Sequence, residues 1–488
     1  MTTVGSTSQA AHPLARGPNR KLFGVESYDG TVVRNWSQAT TFKPEVVFFP
    51  ATRDEVAAVV RGAGELHRRI TLMGKGHSWN PLMAGSDYLL CTARLNQILA
   101  IDEAKGLVTI EPGATIAEVE DTLLAYGLCI PGNIVGTRNI TFGGLMATGS
   151  HGSGRTAPPM SDLLTEVEMV LPSGEVCTFS DEASGKELMD ALRLNLGLFG
   201  VMTRMTFKVE PSFRVEATDY RVKLSEVFER LPQFLRDYHS VEVLWFPFMD
   251  SVTVKTWRRT EKKKSWWPGL RGLLSWAQRR LGYLIFEHHI AKKLVDDPMS
   301  TPKLMQRFGP LVFRPGTSIL DVGEAVHYVN EAERFPINET EIAIGFDDPA
   351  RLERVKAAWD AVINQAFADA EHGTYALNII AHLRFSGGSS AYMSPAYGNE
   401  RTAWLDFGSY HESAGWDELV GRIWRSWRTI PGVKLHWAKE MQRHEGLDLE
   451  AMYGKTNIEK FLEHRARFDP KGTFAHDLAR RLFRLKLP

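Results

Sequence analysis

Cysteine is scarce in this chain: three residues in 488, at Cys91, Cys129 and Cys177, with no CxxC pair among them. That excludes a zinc ribbon, a thioredoxin-type dithiol and a disulfide scaffold. An odd, sparse count suits a reducing compartment, so the expected location is the cytoplasm. Net charge is absent too. Lys plus Arg number 58 and Asp plus Glu number 58, which leaves no global field to recruit nucleic acid or an anionic membrane. No apolar run approaches the roughly 20 residues that a membrane span needs. The opening MTTVGSTSQAAHPLARGPNRK is small and polar, without the apolar stretch of a secretory signal, and is expected to be a disordered tail. Familiar catalytic signatures are also missing. GxGxxG does not occur, only its reverse spacing, Gly149-x-x-Gly152-x-Gly154; Gly454-Lys455-Thr456 lacks the upstream glycine of a P-loop, because position 449 is Leu449. HExxH and GxSxG are absent. Rossmann, kinase, P-loop, zincin and serine-hydrolase readings fall together, and no metal-ligand set is expected.

What is present is ample core material, 43% hydrophobic, in a chain longer than the roughly 250–300 residues at which single cores stop growing. From Val46 short apolar runs alternate with amphipathic segments. VVFFP reads as a strand, and Thr52-Arg53-Asp54-Glu55 has capping-box spacing ahead of a helix toward His67. ITLM reads as a buried strand ending at Gly74, and LVTIEPG as another, turning at Pro112-Gly113 before a helix capped at Thr115. EVEMVLPSGEVCTF predicts a hairpin with its turn at Pro172-Ser173-Gly174. The class is α+β. After Pro211 strands lengthen and glycine loops thin out, so the expected organisation is a tail over 1–22, one domain over 23–212, an inserted cap over 213–435, and a return to the first domain over 436–488. The segment 262–286, with Trp266, Trp267 and Trp276 among basic residues, fits either a membrane-surface helix or a cap helix packing its aromatics inward. Pro268-Gly269 breaks it and favours the second. The basic run 258–264 reads as a solvated loop.

Two glycine-rich segments lie about 70 residues apart, GKGHSWN at 74–80 and FGGLMATGSHGSG at 142–154. Each serves either as a tight turn or as a nest of backbone N–H groups that binds a diphosphate without a cationic side chain. As a pair, each following an apolar run, they favour a dinucleotide. A third segment, Gly197 to Val201, lets main chain approach an adenine or ribose. His77 either faces a ligand from the first loop or hydrogen-bonds within it to hold its shape.

VVFFPATRDEVAAVV, GKGHSWN, ITFGGLMATGSHGSG and LGLFGVMTRMTF, in that order, resemble the flavin domain of the vanillyl-alcohol-oxidase family. HWAK at His436–Lys439 and FDPKGTF at 468–474 resemble its aldonolactone and alditol oxidase branch, which includes gulonolactone, galactonolactone and D-arabinono-1,4-lactone oxidases. The resemblance spans nearly the whole chain from about residue 40. It implies a two-domain FAD-binding fold with an inserted α+β cap, and FAD-dependent oxidation of a polyol, sugar lactone or related secondary alcohol, with oxygen or another acceptor reoxidising the flavin. A larger alcohol such as a sterol or nucleoside, and a flavin binder without turnover, are the alternatives. It implies cofactor contacts from Gly74, Lys75, Gly76, His77, Ser78, Val135, Gly136, Thr141, Gly143, Gly144, Thr148, Gly149, His151, Gly152, Ser153, Gly200, Val201, His436 and Lys439. His77 matches the histidine that is often joined covalently to the flavin, a bond whose formation needs a neutral imidazole. Cys129 lies outside the second, cysteinyl linkage motif of other relatives and is expected to be buried and inert.

The resemblance also implies catalytic roles. Lys439 would stabilise negative charge developing on the reduced flavin. Arg384 matches the arginine of the branch's Glu-x-Arg pair beside the substrate, and His382 stands where that pair has glutamate. Glu341 matches a recurrent acidic position, or is a strand-end charge. At the place where oxidases of the branch tend to have Gly and an oxygen-shy dehydrogenase has Ala, this chain has Val135, so slow reoxidation by oxygen is expected. In an alignment shifted by one, Gly136 takes that place and fast reoxidation is expected.

Overall fold

The computed structural model describes residues 19–85, 87–264, 290–328, 336–441 and 443–485. The Trp-rich part of segment 262–286 therefore lies outside the described residues, apart from its first three positions. The tail expected over 1–22 ends earlier: Asn19–Leu22 is a strand paired antiparallel with Val25–Asp29. No helix among the described residues is long and apolar enough to cross a membrane.

Two five-stranded sheets come first. One runs in the order 19–22, 25–29, 46–48, 88–91, 70–73, with its last three strands parallel; the other is an antiparallel sheet ordered 176–180, 164–170, 201–208, 107–110, 98–102. Helix Arg53–Glu65 buries Val56, Val59 and Val60 against Val46, Phe48 and Leu90 of the first sheet, the 3.6-residue stripe of a helix lying on a sheet. The hairpin closes as its turn residues dictate, Val170 opposite Val176. Two helix starts read as capping boxes differ in detail. At Thr115 both halves form, the side chain accepting from Glu118 N while Glu118 reaches back to Thr115 N. At Thr52 the hydroxyl accepts from Glu55 N, but Glu55 turns to Ala51 N instead. A cap of this kind stabilises a helix by about 1 kcal/mol.

The third sheet is antiparallel, with eight strands ordered 316–321, 214–223, 251–260, 240–245, 380–387, 401–410, 337–345 and 434–435. Helix Pro349–Glu371 packs Val355, Trp359 and Val362 into the same apolar cluster as Leu383 and Leu405 of this sheet and Phe142 and Phe207 of the preceding region. The basic run 258–264 is not simply a loop: Arg258 to Thr260 end strand 251–260, and Arg258 and Lys264 pair with Glu216 and Glu324.

After its last short strand the chain crosses to the first region. His436 N donates to Glu341 O at 3.1 Å, Trp79 N to Ala438 O at 2.7 Å, and the Asn80 side chain spans Trp437 O and Met441 N. In FDPKGTF, the Asp469 carboxylate accepts from Thr473 N and Phe474 N at 2.8 Å, which turns Phe474 into the core of the first sheet. HWAK is thereby held between the eight-stranded sheet and the loop that carries His77.

Candidate active site

One cavity of about 560 Å³ lies along this seam. At one end its wall is mainly backbone. Strand Ile70–Met73 delivers Gly74–Ser78; Gly76 has φ +71°, and a Cβ on Gly74 would sit 1.9 Å from Thr141 Oγ1, so both positions require glycine. The second glycine segment is not all loop: Phe142–Thr148 is a helix with Thr141 as its N-cap. A Cβ on Gly144 would meet only Thr141 Oγ1, at 3.5 Å, and a side chain there would fill the cavity. The backbone and small side chains of these segments fit a dinucleotide approaching closely.

Of the expected cofactor contacts, Gly74, Lys75, Gly76, His77, Ser78, Val135, Gly136, Thr141, Gly143, Gly144, Thr148, His151, Gly200, Val201, His436 and Lys439 line the cavity. Gly149, Gly152 and Ser153 do not. Gly149 is the left-handed C-cap of helix Phe142–Thr148, Gly152 is closed in by the carbonyls of Gly132 and Asn133, and Ser153 is buried. His77 stacks on Trp36 with ring centroids 5.5 Å apart. Burial, with the nearby charge of Lys75, pushes its pKa down to about 4, so the imidazole is neutral. Cys129 is half-buried rather than buried, but burial and the Glu210 charge push its thiol up to about 12, which leaves it inert.

At the other end side chains do the lining. Register places Leu244 opposite His382, His382 opposite Asp406, and Asp406 opposite Glu341. Because side chains alternate along a strand, His382 with Arg384 and Glu339 with Glu341 share this face. The result is a buried polar cluster on neighbouring strands. Arg384 donates to Glu341 Oε1 at 2.6 Å and to Asp406 Oδ2 at 2.8 Å. Glu341 is a buried mid-strand carboxylate, not a strand-end charge. Burial alone would raise its pKa; Arg384 and His151 overcome this and hold it well below the usual carboxylate range. Asp406 goes the other way, raised by burial and by the charges of Glu339 and Glu341 against the opposing pull of Arg384. Lys439 meets Glu339 at 2.6 Å and lies 4.1 Å over the Trp79 ring. The two cations are therefore each paired with carboxylates, since an unpaired charge buried here would be costly.

His382 Nε2 lies 3.2 Å from Glu242 Oε2, which also accepts from the Tyr328 hydroxyl. Burial lowers the His382 pKa against the opposing pull of Glu242, and the ring is neutral at pH 7. His151, stacked 3.6 Å from Trp404, reaches Glu341 at 3.1 Å. His151, Glu341 and His436 offer ligand atoms within 4.8 Å of one another. A cation placed there would face the Arg384 guanidinium on the same Glu341 oxygen. Glu242, Glu339, Asp406 and Tyr328 were not picked out from sequence. The signal was a lone acid inside an apolar strand, as in VEVLW and AWLDF, since a charge buried in a strand needs a partner.

Residues 44–180 match a family described as FAD binding domain, and residues 205–482 match D-arabinono-1,4-lactone oxidase. L-gulonolactone oxidase of Scyliorhinus torazame is 25% identical over 468 residues, covering 93% of this chain and 98% of that protein. L-gulono-1,4-lactone dehydrogenase of Mycobacterium tuberculosis (strain ATCC 25618 / H37Rv) is 25% identical over 461 residues, covering 92% and 98%. Among solved structures, cholesterol oxidase from B. sterolicum superimposes with a TM-score of 0.75 at 16% identity, covering 96% of this chain and 99% of that one. This last likeness is one of fold.

Proposed function

The chain belongs to the D-arabinono-1,4-lactone oxidase family, and from that premise we propose that it oxidises a CH–OH carbon of a polyol, sugar lactone or related secondary alcohol. It is an FAD-dependent oxidoreductase of the vanillyl-alcohol-oxidase fold. One observation carries the reading: the cavity lined by the Gly74–Ser78 loop is also lined by His382, Arg384 and Lys439. When bound, FAD supplies the two-electron acceptor. The glycine segments 74–78, 141–148 and 197–201 hold it, and His77, neutral and against the cavity, is the proposed covalent anchor. Arg384 and Lys439 orient an oxygen-bearing substrate and stabilise negative charge that develops during oxidation. His382, neutral and held by Glu242, takes the hydroxyl proton at its ring nitrogen. Glu341 fixes Arg384.

The flavin unit is taken as 19–212, including the strand that pairs with Val25–Asp29, with 436–488, and the cap as 213–435. The three lone cysteines support a cytoplasmic location. Oxygen or another acceptor completes the cycle. A dehydrogenase with poor oxygen reactivity is the second reading, favoured by Val135 in the cavity wall; Gly136 lines it too, so substitution at 135 separates the two alignments. An anaerobic screen of polyols, aldonolactones and secondary alcohols tests the function. Bleaching of the flavin spectrum by at least one is expected, and a spectrum unmoved by all of them would overturn it.

A further inference from the structure

We propose that the alcohol oxidised here is amphipathic: a hydroxylated head at the Arg384–His382 cluster joined to a hydrocarbon body that lies on an apolar wall of the same cavity. The inference rests on the reading of the cluster as an alcohol-oxidising site and names the substrate class that the rest of the cavity fits.

The wall is continuous with the cluster. Leu244, opposite His382 in register, leads to Phe246 just past the end of its strand. Tyr328, bonded to Glu242, stands 5.5 Å from the Phe313 ring, and Phe313 stands 6.2 Å from Phe246. Phe308 and Val312, from helix Thr301–Val312, and Ile379, just before the His382 strand, complete the lining. Phe246, Phe308, Val312 and Ile379 are only half-buried. Part of each is thus left to the cavity, although Phe246, Phe308 and Ile379 also pack against the buried Ile290, Leu294 and Met305.

Among the described residues, the polar groups of Lys255 and Tyr328 along this wall are already engaged. Lys255, 4.8 Å over Phe313 and 4.3 Å over Tyr328, is held by Asp219 at 3.0 and 3.2 Å. The Tyr328 hydroxyl is given to Glu242. A bare sugar lactone carries oxygen on every carbon, and the atoms that reached this wall would lose water without gaining a partner. A hydrocarbon body meets the wall with the opposite sign, since each apolar group removed from water favours binding.

The test uses holoenzyme under anaerobic conditions and a series of linear diols, from butane-1,2-diol to decane-1,2-diol, with D-arabinono-1,4-lactone as the bare-sugar comparison. Kd is read from perturbation of the flavin absorption band, which does not depend on turnover. Kd is expected to fall with chain length, by about fourfold per methylene at full burial, and decane-1,2-diol to bind more tightly than the lactone. A Kd flat across the series, or a lactone that binds more tightly than every diol, overturns the proposal. Phe308→Ser should flatten the slope; Phe246→Leu, milder in case the first variant loses its flavin, should reduce it. A slope unchanged in both variants, with flavin retained, also overturns it. If no diol or lactone bleaches the flavin, the oxidation reading loses support, while the Kd slope still decides the apolar body.

Discussion

At the Gly74–Ser78 end of the cavity the main chain does the lining, with glycines where a Cβ would collide and a neutral histidine set among aromatics. At the Arg384 end four neighbouring strands each contribute charged or titratable side chains, and of these strands just 380–387 and 401–410 follow one another directly along the chain. The first end is built to admit a large ligand closely. The second is built to hold charge in a fixed place, and its balance is tight: Arg384 is shared by Glu341 and Asp406, and Lys439 is paired with Glu339. Changes at the sheet end should therefore disturb chemistry and stability together, whereas changes at the loop end should act on the cofactor.

The largest effect is expected from Arg384→Ala. Loss of a preorganised donor typically lowers the rate by about 100–1000-fold. The reduction rate should fall more than KM rises, because the charge it stabilises develops during the reaction. The same change leaves Glu341 and Asp406 buried without their cation, at about 3–5 kcal/mol of stability. Anaerobic stopped-flow reduction and urea unfolding measure the two losses; a variant of ordinary rate would remove Arg384 from the site.

His77→Ala probes the other end. Wild-type protein should stay yellow after acid precipitation, and the variant should release its flavin to the supernatant. Its reduction should slow by about tenfold, near 1.4 kcal/mol, with an unfolding midpoint close to wild type. Wild-type colour that passes wholly to the supernatant would refute the anchor and leave FAD binding intact.

A smaller effect is expected at Val135. Val135 lines the cavity, and Val135→Gly should speed reoxidation by oxygen about fivefold, near 1 kcal/mol. Equal rates in wild type and variant would discard the gate and point to the alignment in which Gly136 takes that place.

The finest contrast concerns His382. Burial lowers its pKa below the ordinary histidine value, so the ring is neutral through pH 7 and gains a proton only on the acid side of about 6.5. Flavin reduction should be flat from neutrality upward and fall as pH drops below that range. His382→Gln should remove this fall. An unchanged pH profile in the variant would assign the proton to another group and leave His382 as packing.

The loop end was largely legible in the sequence because its determinants are local. Glycine at 74 and 76 and the caps at Thr52 and Thr115 act over a few residues, and the order of those segments carried the likeness to a flavin fold. Gly149, Gly152 and Ser153 do not line the cavity with the rest of their segment, because composition marks a glycine-rich stretch without saying which of its residues turn the chain and which border the cavity. HWAK and Arg384 were found by motif, but their partners were not. Glu242, Glu339 and Asp406 meet the motif residues only through the register of an antiparallel sheet, across as many as 142 positions from Glu242 to Arg384. The sequence by itself determined the strands, the caps, the glycine cradle and the presence of a basic and an acidic residue on the right elements. Tertiary structure alone decided which carboxylate faces which cation, which is pushed up and which down in pKa, and that an apolar wall continues from them, because pairing, burial and dielectric belong to neighbours in space rather than along the chain.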